Sequence, residues 1–121
     1  MTSDELRHEM YEFRERVNAE AEERRDTYYA LEQLCRFYEK SLRHERQSLN
    51  EVLFEWLLSD DEGLRFDAQA LIGKFAVSDS VPTLEALAER LRRSKQPGAP
   101  YELEKVNRIL NALSDCDAKP T

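Results

Sequence analysis

Residues 61–87 read DEGLRFDAQALIGKFAVSDSVPTLEAL, and this stretch indicates the fold most directly. After an acidic start, small and apolar residues recur at helical spacing and predict a helix over about 63–76. The Ser-Asp-Ser sequence at 78–80 is typical of a helix cap, and Pro82 fits the first helical turn, where its missing N–H costs nothing. The stretch therefore predicts two helices joined by a short polar turn.

The flanking sequence extends this pattern to two helix pairs, over 49–76 and 81–113. A capping-box pattern, Ser48 to Glu51, starts the first pair. A loop rich in Pro and Gly, residues 96–100, divides the second pair. Each pair therefore has the same predicted layout of an outer helix, a loop and an inner helix.

The pattern resembles a HEAT-like (armadillo-type) helical repeat over about residues 49–113. The matching residues are Leu64-Arg65 at the start of an inner helix, Ala68 and Leu71 at its core positions, and Val81-Pro82 at the start of the next outer helix. The resemblance implies two antiparallel helix hairpins that stack into a short α-solenoid. It also implies a role in binding other proteins, because such repeats present extended surfaces to partners.

Residues 3 to about 46 contain no Gly or Pro and predict one long helix, about 65 Å long at 1.5 Å per residue. A break within the charged segment 20–26, with Asp26 or Thr27 capping a new helix, is the alternative. The predicted architecture is thus all-α, with a long helix over 1–47, a HEAT-like repeat domain over 48–114 and a disordered tail over 115–121.

The two halves of the long helix carry different apolar stripes. The N-terminal half has about one apolar residue per turn, which is typical of a two-stranded coiled coil and suggests a homodimer or another partner helix. The second half has a broader stripe, which favours packing on the repeats as a cap. The predicted partner-binding residues are Leu6, Met10, Phe13 and Val17 in the narrow stripe, Tyr29 and Phe37 beside the broad stripe, and Gln69, Lys74, Lys105 and Arg108 on the exposed face of the inner helices.

Charge and composition exclude several classes of partner. Charged residues make up 36% of the 121 residues and the net charge is −7, spread evenly along the chain. The basic cluster at 90–95 fits the last turn of a helix better than a phosphate-binding footprint, so no nucleic acid partner is expected. No stretch approaches the roughly 20 apolar residues of a membrane helix. The two cysteines lack motif spacing, and a cytoplasmic location is expected.

Side chains with catalytic potential are few. His8-Glu9 and His44-Glu45 resemble the His-Glu pairs of HEAT-like di-iron hydroxylases, but on one continuous helix they would lie roughly 54 Å apart. They would meet only across a hairpin folded near Asp26 or in an antiparallel dimer. No phosphate loop or nucleophile motif is present. The chain is therefore predicted to be no enzyme and to have no catalytic, metal or cofactor-binding residues.

The predicted function is a non-enzymatic protein–protein interaction module, a small cytoplasmic adaptor or regulatory subunit. It would bind through the apolar helix stripe and the repeat face. Three alternatives stay open at this point. One is an acidic inhibitor or immunity-type protein that masks a basic partner, which the net charge would suit. The others are a His-Glu metalloenzyme and a structural coiled-coil oligomeriser.

Overall fold

The computed structural model describes residues 2–26 and 28–118, without the side chains of residues 3 and 115–118. These residues form five α-helices and no strand, so the predicted all-α class is confirmed. The elements are α1 (Ser3–Arg24), α2 (Tyr29–Leu57), α3 (Glu62–Phe75), a 3₁₀ turn (Ser78–Ser80), α4 (Val81–Arg93) and α5 (Ala99–Ala118). They fall into two compact units, residues 1–52 and 53–121, so α2 runs from one unit into the other.

The long N-terminal helix is interrupted after Arg24, so the prediction of one continuous helix is wrong and the alternative break is correct. Arg25 adopts a left-handed conformation (φ 53°, ψ 39°) and ends α1. The carboxylate of Asp26 then accepts a 3.0 Å hydrogen bond from the backbone N–H of Tyr28. A left-handed conformation costs a non-glycine residue about 1–2 kcal/mol, and the packing of the two helices that it allows offsets this cost.

After this turn, α1 and the first part of α2 form an antiparallel hairpin within the first unit. The rings of Phe13 and Phe37 have centroids 4.8 Å apart. Nearer the turn, the Tyr29 hydroxyl donates a 2.8 Å hydrogen bond to Glu20, and the Arg24 guanidinium lies over the Tyr29 ring. Later residues of α1 thus contact earlier residues of α2, so the two helices are antiparallel.

The middle of α2 is kinked at Glu45, whose backbone (φ −131°, ψ 29°) is not helical. The helix resumes and continues to Leu57, so the predicted helix start at Ser48 is wrong. The predicted domain division at residues 47–48 lies between this kink and the end of the first unit. At the other end of the chain, α5 continues to Ala118, so the predicted tail is helical over 115–118. Residues 119–121 of that tail lie outside the described residues.

A side-chain cap marks the start of α3, and a 3₁₀ turn and a proline mark the start of α4. The Asp61 carboxylate accepts hydrogen bonds from the backbone N–H groups of Gly63 (2.8 Å) and Leu64 (3.3 Å), which starts α3 close to its predicted position. The predicted cap at 78–80 forms a 3₁₀ turn that leads into α4, and Ser80 is the N-cap residue without a side-chain capping bond. Pro82 lies in the first turn of α4 as expected. Side chains from α3, α4 and α5 form the core of the second unit, among them Leu71, Ile72, Leu84, Leu87, Leu91, Val106 and Leu113.

Helices α3 and α5 run side by side in the same direction. Near their starts, Arg65 of α3 binds Glu102 of α5. Further along, a Cβ atom built on Gly73 would lie 3.9 Å from Cγ1 of Ile109. Because the contacting positions advance together along both helices, α3 and α5 are parallel. Residues of both helices therefore lie next to each other along one shared outer side.

Candidate functional site

A largely buried ion pair joins α3 to α5. The Arg65 guanidinium donates two hydrogen bonds to the Glu102 carboxylate, from Nε at 2.8 Å and from Nη2 at 3.0 Å. A third bond of 2.9 Å runs from Nη1 to the backbone carbonyl of Ser59. The two side chains are only 14% and 15% exposed. Such a two-pronged pair fixes orientation as well as distance, so it sets the register of the two helices.

Gln69 completes this cluster, with a 2.9 Å hydrogen bond from its amide nitrogen to Glu102. The side chain is buried, so the prediction that Gln69 projects from the inner-helix face toward a partner is wrong. The sequence pattern predicted an outward position for Gln69 because its side chain is polar. The reason for its burial is a carboxylate on another helix, which accepts its hydrogen bond.

The ionisation of the cluster follows from these contacts. Burial is the largest single influence on Glu102 and would raise the pKa of its carboxyl group. The hydrogen bonds from Arg65 and Gln69, together with the positive charges of Arg65 and Lys105, outweigh burial and lower that pKa. The hydrogen bond with Glu102 is the main cause that raises the pKa of Arg65. Both pKa shifts favour the charged forms of Arg65 and Glu102, so the cluster holds α3 and α5 together.

Beside this cluster, the outer side of α3 and α5 carries exposed aromatic and basic residues. Phe66 is 52% exposed and Tyr101 is 78% exposed. The Lys105 ammonium lies 3.8 Å from the Phe66 ring centroid, a cation–π contact between the helices. Burial is the main cause that lowers the pKa of Lys105. Because Tyr101, Lys105 and Arg108 follow helical spacing, they share one side of α5.

We call this surface the α3–α5 face and define it by Phe66, Gly73, Tyr101, Lys105 and Arg108. Toward the ends of the two helices it contains a groove of about 320 Å³. The lining residues are Gly73, Ala76, Lys105, Arg108, Ile109, Ala112 and Leu113. The floor is therefore apolar, and the polar lining consists of two cationic side chains on α5.

Three of the four predicted inner-helix residues remain accessible at least in part. Lys105 and Arg108 both line the groove. Lys74 is exposed on α3 but does not line the groove, and its ammonium lies 5.7 Å from the Phe75 ring centroid. Phe66, Gly73 and Tyr101 were not predicted as site residues from the sequence. Their signal was present, because each is an unusual residue for a solvent-facing helical position.

The narrow stripe of α1 is covered by the chain itself. Leu6, Met10 and Val17 are 2%, 0% and 3% exposed, and Phe13 packs on Phe37. The prediction that this stripe is left uncovered for a coiled-coil partner or a homodimer is therefore wrong. The length of the helix suggested that the chain could not cover it, but the turn at Arg25 lets α2 fold back along α1.

Tyr29 and Phe37 also have partners within the hairpin. Tyr29 is half-buried, and its hydrogen bond to Glu20 is the main cause that raises the pKa of its hydroxyl group. Phe37 is half-buried against Phe13. Their aromatic rings thus pack α1 against α2.

The hairpin also brings the two His-Glu pairs toward the same end of the first unit. Glu9, His44 and Glu45 line one shallow pocket of about 740 Å³. His8 lies on the exposed surface, where its Nε2 atom is 3.0 Å from Glu12. Among the described side chains, those of residues 2, 4–26 and 28–114, no group of three His, Cys, Asp or Glu residues is placed to hold a metal ion.

A third cavity, of about 590 Å³, lies between the end of α4 and the start of α5. Its two arginines already have partners within the chain. Arg65 binds Glu102, while Arg90 binds the Leu58 carbonyl (2.8 Å) and the Asp60 carboxylate (2.5 Å). An anionic ligand would have to displace Glu102 from a short, largely buried pair. The Arg108–Glu104 pair of the α3–α5 face is exposed and longer, at 3.4 Å, so this cavity is a weaker candidate than that face.

Comparison of the chain with protein-family profiles, with curated proteins and with solved structures gave no match. The HEAT-like resemblance therefore stays a prediction from the sequence. Among the helices of the described residues, none has both the length and the apolar character that crossing a membrane requires.

Proposed function

We propose that this protein is a non-enzymatic interaction module, a small cytoplasmic adaptor or regulatory subunit that binds another protein through the α3–α5 face. The observation that carries the proposal is the pairing of two exposed aromatic rings, Phe66 and Tyr101, with the apolar groove on the same side of the same two helices. Tyr, Phe and Arg are enriched at protein interfaces, where a few such anchors dominate the binding energy.

The rigidity of this surface supports the proposal. Arg65 and Glu102 fix the relative position of α3 and α5 from inside, so the groove exists before a partner arrives. A preformed surface binds more tightly because less conformational entropy is lost on association. The parallel direction of α3 and α5 also fits the inner helices of a HEAT-like pair, the arrangement that the sequence resembles.

The covered stripe of α1 focuses the proposal on one surface. Of the two binding surfaces predicted from the sequence, the stripe already packs within the hairpin. The α3–α5 face keeps its aromatic and cationic side chains accessible. This contrast favours an adaptor with one docking face over a coiled-coil oligomeriser.

The test is affinity capture from cells that produce the protein, with the full chain as bait and captured proteins quantified. The test variant is Phe66→Ala with Tyr101→Ala. The matched control is Tyr11→Ala with Tyr28→Ala, which removes two exposed aromatic rings from the first unit. We expect the test variant to lose a partner that the wild type and the control retain. Equal retention by both variants, or loss in the control alone, would contradict the proposal.

A further inference from the structure

Gly73 occupies a position where this chain gains nothing from glycine. It lies inside α3, where glycine is less favourable than alanine by about 0.5–1 kcal/mol. No glycine in the described residues has positive φ, so the backbone does not require it. A Cβ atom there would meet only Cγ1 of Ile109, at an ordinary contact distance of 3.9 Å.

Neither helix packing nor backbone conformation therefore accounts for the missing side chain. Close packing of α5 on α3 does not require glycine at this position. The space over Gly73 instead opens outward, into the groove of the α3–α5 face. A close approach at this point is available to a segment from outside the chain.

The groove is matched to a particular chemistry. Ile109, Ala112 and Leu113 provide an apolar floor, and Lys105 and Arg108 stand along it. These cations are placed on a chain whose net charge is −7. Apolar residues flanked by carboxylates would meet both features, because charge complementarity sets the orientation of a docked segment and selects among partners.

The occupant must also satisfy its own backbone. The walls of the groove are helices, which present no strand-like row of free backbone N–H and C=O groups, so an extended peptide would find no ladder of hydrogen-bond partners there. A helix satisfies its backbone internally and presents apolar side chains at i, i+3 or i+4, and i+7 to such a groove. From Phe66 to Ala76 the face spans about 15 Å, or roughly three helical turns.

A second copy of this chain does not fit the groove. Two copies placed face to face would bring one patch that carries Lys105 and Arg108 against a second patch of the same positive charge. The large exposed apolar side chains in the described part of the chain are Tyr11, Tyr28, Leu58, Phe66 and Tyr101. They are scattered over different elements and form no exposed helical stripe that a neighbouring copy could insert.

We propose that the groove over Gly73 binds an acidic amphipathic helix of another protein, with apolar side chains against Ile109 and Ala112 and carboxylates against Lys105 and Arg108. This inference rests on the proposed function and specifies the chemistry of its partner. Because Gly73 has no side chain, the bound helix could lie close to α3.

The probe is a synthetic, fluorescein-labelled peptide of about 20 residues, long enough to form a helix on binding. It carries Leu at i, i+4 and i+7 and Glu on the remaining face. One comparison peptide has Lys in place of every Glu, and another has the acidic composition in scrambled order. Binding to the full-length protein is followed by fluorescence anisotropy at low and at physiological ionic strength.

Two protein variants locate the site. Arg108 is exposed and pairs with Glu104, four residues before it, and Arg93 of α4 is exposed and pairs with Glu89 in the same way. Arg108→Glu and Arg93→Glu therefore change the net charge equally, and each breaks an exposed i, i+4 pair. After the Arg93 change, Glu89 keeps its contact with Arg92. Gly73→Leu fills the groove with a good helix former, and circular dichroism checks that each variant remains helical.

We expect the acidic amphipathic peptide to bind and the Lys and scrambled peptides to bind at least about tenfold more weakly. Arg108→Glu and Gly73→Leu should each weaken binding about tenfold or more, while Arg93→Glu should leave it within about twofold. Equal binding of the Lys or scrambled peptide, or equal effects of the two arginine variants, would overturn the inference.

The outcome also separates this inference from the proposed function. If the acidic peptide fails to bind while Phe66→Ala with Tyr101→Ala still abolishes capture of a partner, the inference fails and the proposed function stands. If the acidic peptide fails and capture is also unaffected, both fail.

Discussion

Arg65 at the start of α3 and Glu102 in the first turn of α5 form a two-pronged ion pair between the two helices, although the residues are 37 positions apart in the chain. The pair lies just inside the α3–α5 face. It holds the two helices in register, so the exposed aromatic rings and the groove on the outer side stay in fixed positions. The stability of this pair and the shape of the candidate binding surface are therefore linked.

Removing one partner of the ion pair should destabilise the fold. Glu102→Leu leaves the Arg65 guanidinium largely buried without its carboxylate, and we expect the free energy of unfolding to fall by about 2–4 kcal/mol. Arg65→Met combined with Glu102→Leu should lose less than the sum of the two single changes, because the double variant buries no unpaired charge. Urea unfolding of the four proteins measures this coupling, and strictly additive losses would refute it.

The same pair should make stability depend on pH in the acidic range. The pKa of Glu102 is lowered in the folded chain from the 4.5 of a free glutamate. Its contribution is therefore fully present above about pH 4.5 and is lost as the pH falls through the lowered folded-state pKa. The stability difference between the wild type and Glu102→Gln should be constant above pH 5 and should shrink below pH 4.5.

The control for this pH dependence is Glu104→Gln, which changes an exposed carboxylate on the same helix. Its unfolding free energy should follow that of the wild type across the same pH series. A difference between the wild type and Glu102→Gln that persists unchanged to pH 3 would show that ionisation of Glu102 does not stabilise the fold.

Replacing Gly73 by alanine should stabilise the protein. The new methyl group has room, with Cγ1 of Ile109 at 3.9 Å, and alanine restricts the unfolded chain more than glycine does. We expect a gain of about 0.5–1 kcal/mol in the free energy of unfolding, measured with urea. A loss of stability would mean that α3 and α5 approach more closely at this point than the structure shows.

The apolar stripe of α1 should be essential for folding rather than for self-association. Changing Leu6, Met10 and Phe13 together to Glu places three carboxylates in the packed side of the hairpin, where burial of unpaired charge is highly unfavourable. We expect the variant to lose helical content by circular dichroism. Light scattering should give the mass of one chain for the wild type at every concentration tested. A stable wild-type dimer that this variant converts to a folded monomer would contradict the account.

The sequence predicted those features that local chemistry determines. Apolar spacing located α3 close to its observed bounds, and Pro82 marks the start of α4 as expected. The end of α1 was harder to predict, because Arg25 takes a left-handed conformation that is usually signalled by glycine. The gain that favours this turn comes from packing α2 along α1, which no local pattern contains.

The candidate site was predicted only in part, for a related reason. Lys105 and Arg108 were assigned correctly to an accessible side of an inner helix. The polar side chain of Gln69 suggested exposure, but its hydrogen bond is accepted by Glu102, which lies on another helix and 33 positions later in the chain. Partners at such separations depend on how helices pack, so helical periodicity alone could not identify them.

Site-specific photo-crosslinking tests the central claim that the α3–α5 face is the docking surface. A benzoylphenylalanine residue replaces Ala112, which lines the groove, or Ala86, which is exposed on α4 and does not line it. Both chains are irradiated in the cells that produce the protein. The account predicts a discrete protein adduct from position 112 that Arg108→Glu removes, and no equivalent adduct from position 86. Adducts from position 86 alone, or equal adducts from both positions, would contradict it.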